Sequence, residues 1–166
     1  MKIRTGFVSN SSSSSFIVAF DKVPQSVKEM QKMIFGNEKE FENPYSLKGR
    51  INPEYSWPTE EIAEIVFNEM KEEASDDKVI ETVMSGYFEG HRSLSDFRTE
   101  PTGYDFVAYD IANRKLATEI FDNFRKLHPD AKLFIFSYGD NNSQRESSME
   151  HGNLFGRVPH LYISNH

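Results

Sequence analysis

Residues 9–20 read SNSSSSSFIVAF, so a run of hydroxyl side chains leads directly into five apolar residues. The apolar part, residues 16–20, combines aromatic and β-branched side chains, which favour a β-strand. A second β-prone run occupies residues 3–8, and the polar residues between the two runs indicate a loop. We therefore expect two antiparallel strands at the start of the chain, joined by a serine-rich loop.

The end of the chain, like its beginning, contains two β-prone runs. Residues 133–138 and 158–164 are β-prone, and about twenty mostly polar residues separate them. Strands at both ends with helical segments between them indicate an α+β fold. We expect a mostly antiparallel sheet of about four strands drawn from both chain ends, which places the serine-rich loop close to the C-terminus.

The middle of the chain carries about four predicted helices. Each combines apolar residues at helical spacing with capping or breaking residues, such as Ser75 before the third helix and Pro129 after the fourth. We expect these helices to pack mainly on one face of the sheet, because that arrangement buries their apolar faces most simply. Their approximate ranges are 24–36, 59–70, 75–86 and 105–127.

Length and composition predict a single domain, residues 1–166. A chain of 166 residues has the usual size of one compact unit, and 14 Phe with 7 Tyr are too many for a disordered chain. The net charge of −7 lacks the positive field that attracts phosphate backbones, so we expect no nucleic-acid partner. The absence of cysteine excludes disulfides, thiolate metal sites and cysteine nucleophiles.

No segment predicts export or membrane insertion. The apolar stretch at residues 16–20 is far shorter than the core of a signal peptide and follows a polar run. No window approaches the roughly 18 consecutive apolar residues that a membrane helix needs. We therefore expect a cytoplasmic location and no membrane partner.

The serine run has several interpretations. A flexible linker is disfavoured, because too few residues precede the run to form a separate unit. A phosphate-binding loop of the P-loop kind needs a following helix, whereas a strand follows here. Two interpretations stay open: a nest of hydroxyl and amide groups that binds an anion, and a purely structural polar loop. The candidate ligand-binding residues are Ser9, Asn10, Ser11, Ser12, Ser13 and Ser14.

Three of the five histidines lie in the last sixteen residues, accompanied by Asp140, Glu146 and Glu150. Imidazole and carboxylate groups suit acid–base chemistry, in which Glu150 would orient a histidine. They also suit metal binding, but His160 and His166 would be about 20 Å apart in an extended strand at ~3.3 Å per residue. Because no standard ligand spacing is present either, we predict no metal site, and the cofactor is left open. The candidate catalytic residues are Asp140, Glu150, His151, His160 and His166.

Residues 59–77 form an acidic helical surface. Eight carboxylates and one lysine give this tract a charge of −7, which equals the charge of the whole chain. Such a tract is usually a solvated helix face. A docking surface for a basic protein partner is the alternative.

Segments at both chain ends resemble those of a known group of proteins. Residues 6–16, GFVSNSSSSSF, are similar to the opening of a group of small uncharacterised proteins found in bacteriophages and bacteria. The similarity continues in MEHG at 149–152, Phe155, PH at 159–160 and ISNH at 163–166. The resemblance brings no established activity, but it implies that the serine loop and the histidine segment are adjacent in the fold.

Two functions follow as hypotheses. The first is a non-enzymatic binding or interaction protein, encoded by a phage as the resemblance implies, because no catalytic motif is present and one helical surface is acidic. The second is a small hydrolase or transferase, metal-dependent or histidine-based. It would act on an anionic substrate held by the serine loop. We favour the first hypothesis.

Overall fold

The computed structural model describes residues 13–42, 56–139 and 143–165. Within these ranges the strands are β1 Ser13–Phe20, β2 Glu40–Glu42, β3 Ser56–Pro58, β4 Arg98–Thr99, β5 Gly103–Tyr104, β6 Lys132–Gly139 and β7 His160–Ser164. The helices are α1 Val27–Phe35, α2 Thr59–Glu69, α3 Asp76–Met84, α4 Phe106–Leu127 and α5 Gln144–His151, with a short 3-10 helix at Leu94–Phe97. The predicted α+β class is confirmed.

The middle strand of the main sheet is β1. It pairs antiparallel with β6 on one side and with β7 on the other, in the order β6-β1-β7. The register places Ser14 opposite Tyr138 of β6 and opposite Ser164 of β7. A strand from the start of the chain therefore lies between two strands from its end. One sheet drawn from both chain ends was expected, whereas this strand order was not.

Both edges of β1 pair with strands from the C-terminal end of the chain. Both edges of residues 14–18 are already paired, so this stretch has no free edge for the predicted strand 3–8, which lies outside the described residues. The physical reason is that β6 and β7 already satisfy the backbone hydrogen bonds of β1 on both sides. The main sheet therefore has three strands in the described part of the chain, and a sheet of about four is not confirmed.

Helices cover both faces of the sheet. Phe16, Val18 and Phe20 point to one side, where they pack with α1, α2 and α5. Ile17 and Ala19 point to the other side, where they pack with α3 and α4. The prediction of helices mainly on one face is wrong. Consecutive apolar residues such as 16–20 need cover on both faces of a strand, and seven of the eight residues of β1 are buried.

Side-chain caps determine where four of the helices begin. In each case the cap accepts a hydrogen bond from the backbone N–H three residues later, which the first turn of a helix cannot satisfy internally. The four capping residues are Ser26, Ser75, Asp105 and Ser143. The start of α2 differs, because Pro58 precedes it and offers no side-chain bond.

The fifth helix, α5, was not predicted. Its sequence, QRESSMEH, holds a single apolar residue, Met149, so the apolar spacing that indicates a helix is missing. Tertiary contacts hold it instead. Met149 packs in the core with α1 and α2, and Arg145 Nη1 lies 2.6 Å from Oε1 of Glu61 in α2. All four predicted helices are also present.

Candidate functional site

An open pocket of about 340 Å³ lies where β1, β7 and the end of α5 meet. Two histidines and a carboxylate from the set of candidate catalytic residues contribute to it. We name it the β7 pocket after the strand that forms its edge. Its walls are formed by Phe16, Glu150, His151, Asn153, His160 and Tyr162.

The strand register positions the sheet side of the β7 pocket. Val18 lies opposite His160, and Phe16 lies opposite Tyr162. Because alternate residues of a strand share a face, His160 and Tyr162 project on the same side as Ser14 and Phe16. The helix α5 packs on this face as well, so its last turn forms another side of the pocket.

Glu150 is a carboxyl group buried beneath the pocket. Only 2% of the residue is exposed, and its side chain is fully covered. Ser14, which is also wholly buried, donates its hydroxyl proton to Glu150 Oε1 over 2.9 Å. His151 places Nε2 3.4 Å from Glu150 Oε2. The carboxylate thus connects β1 to the last turn of α5, across 136 positions of the chain.

Tyr162 extends this network to the surface. Its hydroxyl oxygen lies 2.9 Å from Ser14 Oγ. The Ser14 hydroxyl is placed to donate to this oxygen as well as to Glu150 Oε1. Because it has one proton, it makes one of these two donor contacts at a time. A chain of hydrogen bonds therefore runs from a partly exposed tyrosine to a buried carboxylate.

His160 is oriented by a different contact. Its Nδ1 lies 2.9 Å from the carbonyl oxygen of Val158. Because a carbonyl oxygen only accepts, Nδ1 carries the proton and donates it. In the neutral imidazole, Nε2 is then the nitrogen that can accept a proton or a hydrogen bond.

Aromatic rings form the wall on the sheet side. The ring centroids of Phe16 and Tyr162 are 5.5 Å apart, and those of Phe16 and His160 are 6.3 Å apart, both within the usual range of ring packing. The ring centroid of Phe155 lies 6.4 Å from that of His160. Phe16 and Phe155 are buried, whereas Tyr162 is 48% exposed. The pocket therefore presents an accessible aromatic surface that a packed core supports.

Three of the five candidate catalytic residues meet in the β7 pocket. These are Glu150, His151 and His160, and the structure places all of them on its walls. The other two, Asp140 and His166, lie outside the described residues. A catalytic role for any of the five stays a prediction.

Two of the six candidate ligand-binding residues are described, and both belong to a strand. Ser13 accepts a backbone hydrogen bond from Asn165, and Ser14 is buried beneath the pocket. The expectation that the whole serine run is a loop is therefore wrong at its C-terminal end. Polar Ser14 is tolerated inside the sheet because Glu150 and Tyr162 satisfy its hydroxyl. The remaining four, which lie outside the described residues, are Ser9, Asn10, Ser11 and Ser12.

Three pocket residues were missed as site residues. Tyr162 falls on the same face as His160 by strand alternation, and this spacing is the signal that could have found it. Phe16 reads only as a core residue in the sequence. Asn153 has a left-handed backbone, with φ of 54°, which asparagine tolerates better than most residues. No pattern in the sequence indicates that Asn153 borders a pocket.

In the acidic surface of residues 59–77 some carboxylates are paired, and most are exposed. The pairs are Glu61 with Arg145, Glu69 with Tyr138, and Asp76 with Arg125. The exposed members are Glu60, Glu64, Glu69, Glu72, Glu73, Asp76 and Asp77. A basic protein partner on this surface stays a prediction.

Glu69 and Tyr138 influence each other's titration. Desolvation raises the pKa of Glu69, while the hydrogen bond from Tyr138, 2.9 Å long, opposes that rise. Burial and the nearby Glu69 charge raise the pKa of Tyr138 well above its usual value. Tyr138 is therefore the proton donor of the pair at neutral pH.

Within residues 13–42, 56–139 and 143–165, no three histidine, aspartate or glutamate side chains cluster closely enough to hold a metal ion. Across the same ranges, no helix has both the length and the apolar composition needed to cross a membrane.

No protein-family model, no curated protein and no solved structure matches this chain. The resemblance of its two ends to a phage and bacterial group stays a prediction, and the β7 pocket is the structural basis for a proposed function.

Proposed function

We propose that this chain is a binding protein that takes up a small molecule in the β7 pocket. One observation carries the proposal: the pocket lies over a fully covered carboxylate, Glu150, held by Ser14 and flanked by His151. A buried carboxylate is costly unless it is paired and hydrogen-bonded, and apolar residues of similar volume often hold a fold together equally well. Such a network beneath an open pocket supports a function in that pocket.

The size and lining of the pocket agree with this proposal. A volume of about 340 Å³ lies within the range of roughly 300–1,000 Å³ that is usual for small-molecule sites. The aromatic wall supplies apolar contact, and His151, His160 and Asn153 supply polar groups around it. A few polar groups on an apolar wall are what determine the orientation of a small ligand.

Binding is tested by screening a fragment library against isotope-labelled protein and following the backbone amide signals by NMR. We expect some fragments to shift the signals of residues 14–18 and 160–164, which lie along the paired strands beside the pocket. Tyr162→Ala removes the exposed aromatic wall and should weaken these fragments about tenfold, or about 1.4 kcal/mol.

The matched control is Tyr104→Ala. Tyr104 is also an exposed tyrosine, but it lies on β5 and does not line the pocket, so fragment affinities should be unchanged. A library that shifts no signals of the paired strands would refute the proposal, and so would an equal loss of affinity in the two tyrosine variants.

A second candidate function is acid–base catalysis at His160. The bond from Nδ1 to Val158 orients the ring and leaves Nε2 as the proton acceptor, and the residue is partly exposed at the pocket. An oriented imidazole is the most frequent general base of enzymes. These features support the alternative hypothesis of a small hydrolase or transferase.

Catalysis is tested by incubating the protein with chromogenic esters, phosphate esters and glycosides. If a substrate is found, His160→Gln should lower kcat about a hundredfold or more, because general-base catalysis contributes roughly that much. His128→Gln is the control, since His128 lies at the end of α4 and does not line the pocket. Full activity of the His160 variant would exclude this candidate.

A further inference from the structure

We infer that the ligand of the β7 pocket is an extended peptide segment of another protein, which adds to the sheet as a strand along the outer edge of β7. This inference rests on the proposed function, because one side chain of the segment would occupy the same pocket. It also uses the backbone edge beside the pocket, which a small molecule does not need. The direction of the backbone groups of β7 and the character of its side chains lead to it.

The backbone groups of β7 alternate between its inner edge, which faces β1, and its outer edge. Asn165, which follows the strand, donates its N–H to the carbonyl of Ser13 over 2.9 Å, so the odd-numbered residues of this stretch face β1. Successive residues of a strand point their N–H and C=O groups to opposite edges. The N–H and C=O groups of His160 and Tyr162 therefore face away from β1.

Tyr87 pairs with the outer edge of β7 at one point. Its N–H donates to the carbonyl of Ser164 over 2.7 Å, which confirms that the even-numbered residues face outward. The bridge is isolated, and the chain then turns at Gly90, where φ is 84°. In the described part of the chain, no strand pairs with the outer edge beside His160 and Tyr162. Their backbone groups form a template for a further strand.

An extended polypeptide matches this edge in its chemistry. Alternating N–H and C=O groups bond to the same groups of another strand, and strand addition to a sheet edge is a recurrent mode of peptide recognition. Edge strands that must stay unpaired commonly carry charged residues, above all lysine. The sequence of β7, HLYIS, has neither a lysine or arginine nor a carboxylate. The composition of β7 therefore does not oppose an added strand.

The side chains of β7 make the added strand selective. We place the peptide antiparallel to β7, as in every described strand pair of this structure. A peptide residue opposite Tyr162 then projects on the face of the β7 pocket, where the exposed Tyr162 ring would contact it. The next peptide residue, opposite Leu161, projects to the other face. Because aromatic rings form favourable cross-strand pairs, we expect an aromatic residue opposite Tyr162.

The first test measures amide hydrogen exchange in the free chain by NMR. The N–H groups of Leu161 and Ile163 face β1, whereas those of His160 and Tyr162 face the outer edge. The inward-facing amides should therefore exchange at least about tenfold more slowly than the outward-facing ones. Equal protection of all these amides would mean that the edge is already occupied within the chain, and it would overturn the inference.

The second test selects ligands of the full chain from a display library of short random peptides. At saturation, a synthetic copy of a selected peptide should slow the exchange of the His160 and Tyr162 amides. N-methylation removes one peptide donor at a time. It should weaken binding about tenfold or more at alternate positions of the paired stretch, and less than about threefold between them. A library that yields no binder, or methylation effects without this alternation, would overturn the inference.

Two variants at residue 162 separate the edge from the pocket. Tyr162→Ala and Tyr162→Pro both remove the ring, but only proline also removes the outward N–H, which an edge strand tolerates. Tyr162→Pro should bind the peptide at least about threefold more weakly than Tyr162→Ala, and equal affinities would contradict strand addition. If the proline variant does not fold, the methylation pattern decides alone. Fragment binding without peptide binding would overturn this inference and leave the proposed function intact.

Discussion

Removing the Ser14 hydroxyl tests the network beneath the β7 pocket directly. Ser14→Ala deletes one oxygen from a wholly buried site and leaves the backbone pairing of β1 in place. The change takes the serine hydroxyl away from Glu150 Oε1 and from the Tyr162 hydroxyl oxygen. The covered carboxylate should bear most of the effect, because it cannot replace the lost contact with bulk water.

The magnitude follows from the charge of the acceptor. A hydrogen bond to a charged group contributes about 1.5–3 kcal/mol to stability, against about 0.5–1.5 kcal/mol for a neutral pair. We therefore expect Ser14→Ala to lower the free energy of unfolding by about 1.5–3 kcal/mol. For a chain of this size, each 1 kcal/mol shifts Tm by about 2–4 °C, so Tm should fall by roughly 3–12 °C.

The assay is equilibrium urea unfolding, supported by thermal melts. Tyr162→Phe removes only the outer, neutral bond and should cost less than Ser14→Ala. Ser137→Ala is the control, since Ser137 is an exposed strand serine whose hydroxyl lies 3.0 Å from that of Ser15. Glu150→Leu replaces the carboxylate by an apolar side chain. In that background, the loss in free energy of unfolding caused by Ser14→Ala should be at least about 1 kcal/mol smaller than in the wild-type chain.

An unfolding free energy within about 0.5 kcal/mol of wild type for Ser14→Ala, at an unchanged urea dependence, would refute this reasoning. So would equal effects of Ser14→Ala and Ser137→Ala. Either result would mean that the covered carboxylate does not depend on the serine, and the hydrogen-bond chain to Tyr162 would lose its middle member.

Three further predictions concern other parts of the molecule. Because both faces of β1 are covered, Ile17→Ala should lower the free energy of unfolding by about 2–5 kcal/mol, and Phe20→Ala by about 3–5 kcal/mol, as measured by urea unfolding. A loss below about 1 kcal/mol for either variant would contradict the cover on both faces. Gly152→Ala should cost about 1–3 kcal/mol, because the added Cβ would lie 2.6 Å from the Phe41 ring; an unchanged Tm would contradict that contact. The raised pKa of Glu69 means that the folded chain holds its proton more strongly than the unfolded chain, so stability is lost as pH rises from the ordinary value of 4.5. Glu69→Gln keeps an acceptor for Tyr138 and cannot ionise, so it should raise Tm at neutral pH. This gain in Tm should disappear below pH 4.5. A lower Tm of the variant at neutral pH would contradict the reasoning.

Local patterns were sufficient for most of the secondary structure. The apolar spacing of α1 to α4 and the β-prone runs of β1, β6 and β7 are visible in short windows, because each element must present its own apolar residues to the core. The α+β class follows from their order along the chain. The same windows could not reveal α5, whose stability comes from Met149 and Arg145 in contact with other elements.

The pairing of the strands required the tertiary structure. Nothing in residues 16–20 says which strands will lie beside them, and the strands that do so, β6 and β7, are far away along the chain. A strand pairs with strands whose apolar faces complement its own, whatever their distance along the sequence. Here they come from the C-terminal end, and helices then cover both sides.

By itself, the sequence determined that the chain is acidic and free of cysteine, that it has an α+β order of elements, and that a serine run lies near one end and three of the five histidines lie near the other. Only the tertiary structure decided that Ser14 would be buried against Glu150 and within hydrogen-bonding distance of Tyr162, and that His160 Nδ1 would donate to the carbonyl of Val158. The reason is physical. Composition and spacing act within a few residues, whereas the environment of a polar side chain depends on contacts between segments that the fold alone brings together.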